Sequence, residues 1–277
     1  MAAAGAGFVA TPTPGAASKA KAAAALYYVN LGDSLAQGYQ PGRANRSETL
    51  HGYANRVVTD IAPKHELTLE NFGCGGDTTE QILYSLGCAP GNLAKDGVGY
   101  PATTQAEAAV DFIDAHPGRI GLITITIGGN DLGIVPLGTM EANIAILAVQ
   151  LRRAAGAKVP IIALGYDDPT LAYWLYGSAG QAIARKSVVQ IRQSFNPAFE
   201  KAYAPSKVTF LNIAAAFGTF VTLSKVVTLA PYGRIPFAVA QICRLTWICQ
   251  KDNEHPTNAG YALMAEQIVR AYLKLVA

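Results

Sequence analysis

Five short apolar runs, separated by stretches long enough for a helix, constrain this chain more than any other feature. They are Leu26–Leu31, Leu67–Phe72, Ile120–Ile127, Val159–Leu164 and Val208–Leu211. Each is rich in Val, Ile, Leu, Tyr or Thr and is bounded by Gly, Pro or polar residues, which is how strands read. None alternates cleanly between apolar and polar, so both faces must be covered, as in a parallel sheet. The intervening segments carry helical periods. Thr103–Ala115 places Ala106, Val110 and Ile113 on one face, Glu141–Ala155 places Ile144, Leu147 and Leu151, and Asn258–Val276 places Tyr261, Met264, Ile268, Tyr272 and Leu275. Strand and helix in alternation predict an α/β fold, a flavodoxin-like three-layer sandwich around a central parallel sheet of about five strands.

The chain has 277 residues, 51% of them apolar and 15% charged, which is enough for one folded domain with a substantial core. The organisation read from it is a disordered leader or signal remnant over 1–25 and a single domain over 26–277. The leader is rich in Ala, Gly, Thr and Pro and carries no charge until Lys19, with neither a basic start nor a continuous apolar stretch. A formal charge of +3 and the absence of basic runs interleaved with aromatics argue against nucleic acid as a partner. No run approaches the ~20 apolar residues of a membrane span, so stable membrane insertion is not expected. Ile213–Ala240 is apolar but broken by Lys225, Pro231, Arg234 and Pro236, and reads as core helix, with a flap lining an acyl pocket as the alternative.

Sites in open parallel sheets form at the carboxyl ends of strands. Here the first strand runs into Gly32-Asp33-Ser34-Leu35, the second into Gly73-Cys74-Gly75-Gly76-Asp77-Thr78, and the third into Gly128-Gly129-Asn130-Asp131. A loop Asp252-Asn253-Glu254-His255-Pro256 precedes the last helix. Each has an ordinary explanation: a serine caps a helix, Asp77 with Glu80 fits a helix N-terminus, and Gly-Gly-Asn-Asp makes a turn. Together, in this order and at these ends, they resemble the four sequence blocks of the SGNH (G-D-S-L) hydrolase superfamily over roughly Leu26 to the C-terminus.

That resemblance implies Ser34 as nucleophile, His255 as general base, Asp252 as its acidic partner, and Ser34, Gly76 and Asn130 as the oxyanion hole. The chemistry suits the residue types. A serine hydroxyl needs an adjacent base, and an imidazole is largely neutral near pH 7. Asp252, three residues before His255, is expected to reach Nδ1. Gly76 is expected just ahead of a helix beginning near Thr78, where backbone amides favour an anion. The implied activity is a serine esterase or lipase acting on small-molecule esters or lipids, without metal or cofactor, as a monomer. A carbohydrate deacetylase or an acyltransferase would use the same residues, and a non-catalytic binding module on this fold is the reading from another class. The Gly-x-Ser-x-Gly elbow of the α/β-hydrolases is missing around Ser34.

Four cysteines fall into two local pairs, Cys74 with Cys88 and Cys243 with Cys249, although four allow three connectivities. Disulfides would place the protein in an oxidising compartment, hence secreted; four free thiols would fit a cytoplasmic enzyme. The placement of these cysteines, with Tyr166-Asp167-Asp168-Pro169 and Thr246-Trp247, resembles secreted actinobacterial members. His51, His65 and His116 match none of the blocks, and Asn45-Arg46-Ser47 is a formal glycosylation sequon.

Overall fold

A computed structural model describes Met1, residues 26–42 and residues 50–277. Apart from Met1, the expected leader lies outside the described residues, as does the Asn45 sequon. All five expected strands form: β1 (Leu26–Gly32), β2 (Leu67–Asn71), β3 (Ile120–Thr126), β4 (Ile161–Leu164) and β5 (Thr209–Leu211). They make one parallel sheet in the order β2-β1-β3-β4-β5. This is the doubly wound order whose direction reverses between β1 and β3, and the crevice at that reversal is where such folds bind ligands.

Both faces of the sheet are buried, which is why the strand sequences do not alternate. Tyr28, Leu122, Ile162 and Leu164 pack toward helices Tyr53–Ile61, Phe237–Leu245 and Asn258–Leu275. Val29, Leu31, Ile123, Ile125, Ile161 and Ala163 pack toward Gln105–Ala115, Leu137–Ala155 and Asn196–Tyr203. Full burial of an aliphatic side chain of this size stabilises by about 1.5–3 kcal/mol, so the two layers carry most of the fold's driving force. The helix expected from Thr103 begins at Gln105 because Thr104 is its N-cap, with Glu107 completing a reciprocal capping box.

Ile213–Ala240 departs from expectation. It contains only a short helix, Ile213–Ala216, followed by an antiparallel hairpin, β6 (Val226–Leu229) with β7 (Gly233–Pro236), before the helix from Phe237. Pro231 falls in the hairpin connection and Pro236 at the cap of the following helix, so the breaks in the apolar pattern mark turns. Both cysteine pairs are disulfides, Cys74–Cys88 and Cys243–Cys249. No helix among the described residues is long and apolar enough to cross a membrane.

Candidate active site

Ser34 sits where β1 turns into the short helix Ser34–Gln37. Gly32 makes that turn possible: it has φ +136°, and a Cβ there would lie 1.9 Å from the Thr126 carbonyl oxygen. Asp33 caps the helix, its Oδ1 accepting from the Leu35 amide at 2.9 Å while the Tyr166 hydroxyl donates to its Oδ2. Ser34 is the first residue of the helix, so its own N–H has no intrahelical acceptor.

A buried polar lattice supports this turn from below. Asn30 donates to the Ala36 carbonyl at 3.0 Å and to Asn71 Oδ1 at 2.8 Å, and its own Oδ1 accepts from Tyr53 and Thr124. Asn71 donates to the same Ala36 carbonyl at 3.0 Å. Asn30, Asn71, Tyr53 and Thr124 thus fix the backbone that presents Ser34. The sequence signal for them is faint: Asn30 interrupts an apolar strand, whereas Asn71 merely closes one that already carries Thr68 and Glu70.

The four sequence blocks converge. Ser34 Oγ and His255 Nε2 lie 2.7 Å apart across 221 positions of sequence. The His255 side chain is only 12% exposed, and Tyr39 stacks against it at a tilt, ring centroids 4.4 Å apart. Burial lowers the His255 pKa below its usual 6.5, with the Glu254 carboxylate working in the opposite direction.

The expected contact from Asp252 is not made. Asp252 ends the helix Ile248–Lys251 in a left-handed conformation (φ 51°) and is exposed. Asn253 Oδ1 instead meets His255 Nδ1 at 3.0 Å and also accepts from the His255 backbone N–H at 3.2 Å. Glu254 Oε1 stands 3.8 Å from Nδ1 and is the nearest acidic group on this loop. The left-handed turn at Asp252 removes its side chain and passes the place at Nδ1 to the next residue.

The setting expected for Gly76 also differs. The following helix starts only at Gln81, so Gly76 lies in a turn (φ +93°) and not at a helix N-terminus. Asp77 does not cap that helix; its Oδ2 accepts from Gln105 Nε2 at 2.8 Å. Asn130, in the turn Gly129–Asp131, donates through Nδ2 to the Asp77 carbonyl at 2.8 Å, tying the second and third blocks together. Asp131, wholly buried, accepts from the Thr79 amide and hydroxyl and reinforces the same junction.

Two cavities flank this pair and share Ser34, Asn130 and His255. One, of about 140 Å³, is walled by Leu35, Leu132, Tyr166, Asp167 and Pro169. The other, of about 270 Å³, is walled by Gln37, Tyr39, Gly75, Gly76 and Asn92. No residue of 213–240 lines either of these two cavities. No group of acidic, His or Cys side chains able to hold a metal occurs among the described residues.

Burial raises several carboxyls around the site: Asp33, Asp77 and Asp167 to about 7, and Asp168 to about 6. A carboxyl whose folded pKa exceeds its unfolded value of about 4 binds more protons when folded, so stability falls as pH rises between those values. His255 acts the other way below about 6.5 but is one group against four. Thermal unfolding should therefore occur at higher temperature at pH 5 than at pH 8, each ~1 kcal/mol shifting Tm by ~2–4 °C in a chain of this size. A Tm that rises steadily from pH 5 to pH 8 would contradict the burial of these groups.

A serine–histidine pair at the switch point of a doubly wound five-stranded sheet, with glycine- and asparagine-bearing turns beside it, defines an SGNH-type hydrolase. The chain belongs to the GDSL-like lipase/acylhydrolase family, whose sequence model matches residues 31–263. It is accordingly a hydrolase of the class that acts on esters and lipids. Among solved structures it resembles an Agrobacterium tumefaciens protein assigned as an arylesterase, with a TM-score of 0.54 and 16% identity over 90% of this chain and 99% of the other. TesA is similar at a TM-score of 0.51 and 16% identity, again over 90% and 99%. At these identities the likeness speaks for the fold alone. No curated protein matches the sequence.

Proposed function

We propose that this protein is a serine esterase that hydrolyses carboxylic esters of short to medium chain through an acyl-Ser34 intermediate. The 2.7 Å contact between Ser34 Oγ and His255 Nε2, with Nδ1 held from the other side, carries this reading. A hydrogen on Nδ1 donated to Asn253 leaves Nε2 as the acceptor of the serine proton. Ser34 Oγ attacks the ester carbonyl as its proton passes to Nε2. The resulting oxyanion is met by the N–H groups of Ser34 and Gly76 and by Asn130 Nδ2. His255 then protonates the departing alcohol, and a water activated by the same nitrogen releases the acid. Asn253 is a positioning residue, and Glu254 contributes negative charge near the imidazolium. The two disulfides support action in an oxidising compartment outside the cell.

Treatment with a fluorophosphonate followed by intact-mass analysis tests the reading. One adduct should form, map to Ser34 and slow strongly in His255→Ala; no adduct on folded protein would remove the activated nucleophile. Because burial depresses the His255 pKa, the acid limb of kcat/KM should have its midpoint below 6.5. A midpoint above 6.5 would mean that the Glu254 carboxylate outweighs burial at His255.

The loop offers a separate test. Asn253→Ala should lower kcat by ~10- to 100-fold, since a neutral hydrogen bond worth ~1 kcal/mol and the tautomer control it gives are both lost. Asp252→Ala, at an exposed position, should leave kcat within about twofold. Reversed effects would return the acidic-partner role to Asp252.

A further inference from the structure

Tyr166-Asp167-Asp168-Pro169 follows β4 and brings two adjacent buried aspartates to the site. Their side chains are treated very differently. Asp168 accepts from Ser187 Oγ at 2.9 Å and from backbone amides at the start of the helical turn that follows. It is fully employed in holding that turn. Asp167, 6% exposed, uses one side of its carboxyl near its own amide, while Oδ2 is buried with no hydrogen-bond partner among the described residues. Asp167 also lines the 140 Å³ cavity that opens onto Ser34.

A buried carboxyl oxygen without a partner costs free energy, and such groups call for an explanation, often a functional one. The other acidic groups of this cavity do not share the feature. Asp33 is occupied by Tyr166 and the Leu35 amide, and the Glu254 side chain is 62% exposed to water. We infer that Asp167 is a specificity-determining residue, and that the small cavity takes an uncharged, hydroxyl-bearing group of the ester through a hydrogen bond to its carboxyl. The inference rests on the esterase reading and adds the substrate feature that this site selects.

Size and charge narrow the group. An apolar cavity of about 150 Å³ holds a benzene-sized molecule, so three to six carbons with one or two hydroxyls is the scale that fits here. Asp167 and Glu254 repel an anionic group. A quaternary ammonium would be poorly served, because such cations are recognised by cages of aromatic faces and the described lining offers only the Tyr166 ring and the His255 imidazole already bonded to Ser34. A hydroxyl can donate to the ionised carboxyl or accept from the protonated one, whereas Leu35, Leu132 and Pro169 cover the carbon skeleton.

The hydroxyl could belong to either half of the ester, and two matched pairs distinguish the sources. Glyceryl monobutyrate against propyl butyrate reports on the alcohol half; ethyl 3-hydroxybutyrate against ethyl butyrate reports on the acyl half. In the native protein one pair should show kcat/KM at least ~10-fold higher for the hydroxylated member, the scale of a hydrogen bond to a charged group. In Asp167→Leu that ratio should fall toward one. Asp167→Asn, which keeps the shape and one acceptor, should give an intermediate ratio and decides the matter if the leucine variant does not fold. A purely structural role for Asp167 would lower both members equally and leave the ratio unchanged, which would overturn the inference. So would the absence of any preference in the native protein, or a preference for choline butyrate over all four. Ser34 labelling by fluorophosphonate separates the two levels of failure: labelling with ester turnover but no hydroxyl preference rejects this inference alone, and no labelling rejects the esterase reading as well.

Discussion

Ser34→Ala should reduce kcat on any ester turned over by the native protein by ~10⁴- to 10⁶-fold, and His255→Ala should do nearly the same. The expectation follows from what each side chain does in the folded state. The hydroxyl of Ser34 makes its hydrogen bond to His255 across the crevice, so removing it should cost little stability. Residual turnover would come from oxyanion donors acting on a bound ester attacked by water. The double variant should be no worse than the worse single one, because a base without a nucleophile and a nucleophile without a base fail at the same step. Kinetics of each variant with one chromogenic ester, alongside Tm, provide the measurement. Multiplicative losses in the double variant would mean that the two residues act in separate steps, and unchanged turnover in Ser34→Ala would take that residue out of the reaction.

The sheet was legible because its strands are buried on both faces, and a run such as Ile120–Ile127 has few other uses in a chain with this little charge. The position of Ser34, Asn130 and His255 was legible for a related reason. In a parallel sheet, chemistry collects at the carboxyl ends, and the polar blocks stand at those ends in order. What sequence did not carry is backbone conformation inside short loops. Spacing alone puts Asp252 within reach of His255, but one left-handed residue at 252 hands the contact to Asn253. Similarly, Asp77-Thr78-Thr79-Glu80 has the composition of a helix start, yet Asp77 and Thr79 are drawn away by Gln105 and Asp131. The local cap falls to Thr78 instead, whose Oγ1 accepts from the Gln81 amide at 3.2 Å while Gln81 Oε1 accepts from the Thr78 amide at 3.0 Å, and the helix runs from Gln81. The hairpin β6–β7 escaped notice because its strands are four residues long and partly exposed, too short for a period to declare itself.

Asn130→Ala should lower kcat by ~10²- to 10³-fold, equivalent to ~2.7–4 kcal/mol, with KM changed far less. The amide nitrogen has two hydrogens. One is committed to the Asp77 carbonyl at 2.8 Å, which fixes the side chain's plane. The second is free to meet an oxyanion, and Asn130 borders both cavities that converge on Ser34. A donor placed for negative charge contributes mainly in the transition state, where the carbonyl oxygen becomes charged, so kcat takes the loss. Asn130→Asp should be at least as damaging: it keeps the size, removes the donor and sets a carboxylate where negative charge develops. The neighbouring residue supplies the control. Asp131 points the other way, wholly buried, and holds the Thr79 amide and hydroxyl. Asp131→Ala should therefore lower Tm by several degrees, since a broken buried hydrogen-bond network is among the larger single-residue effects. One turn would then separate into a catalytic half and a structural half. If Asn130→Ala instead lost stability in proportion to activity, its bond to Asp77 would be its whole contribution, and the oxyanion would have to be held by the Ser34 and Gly76 amides alone.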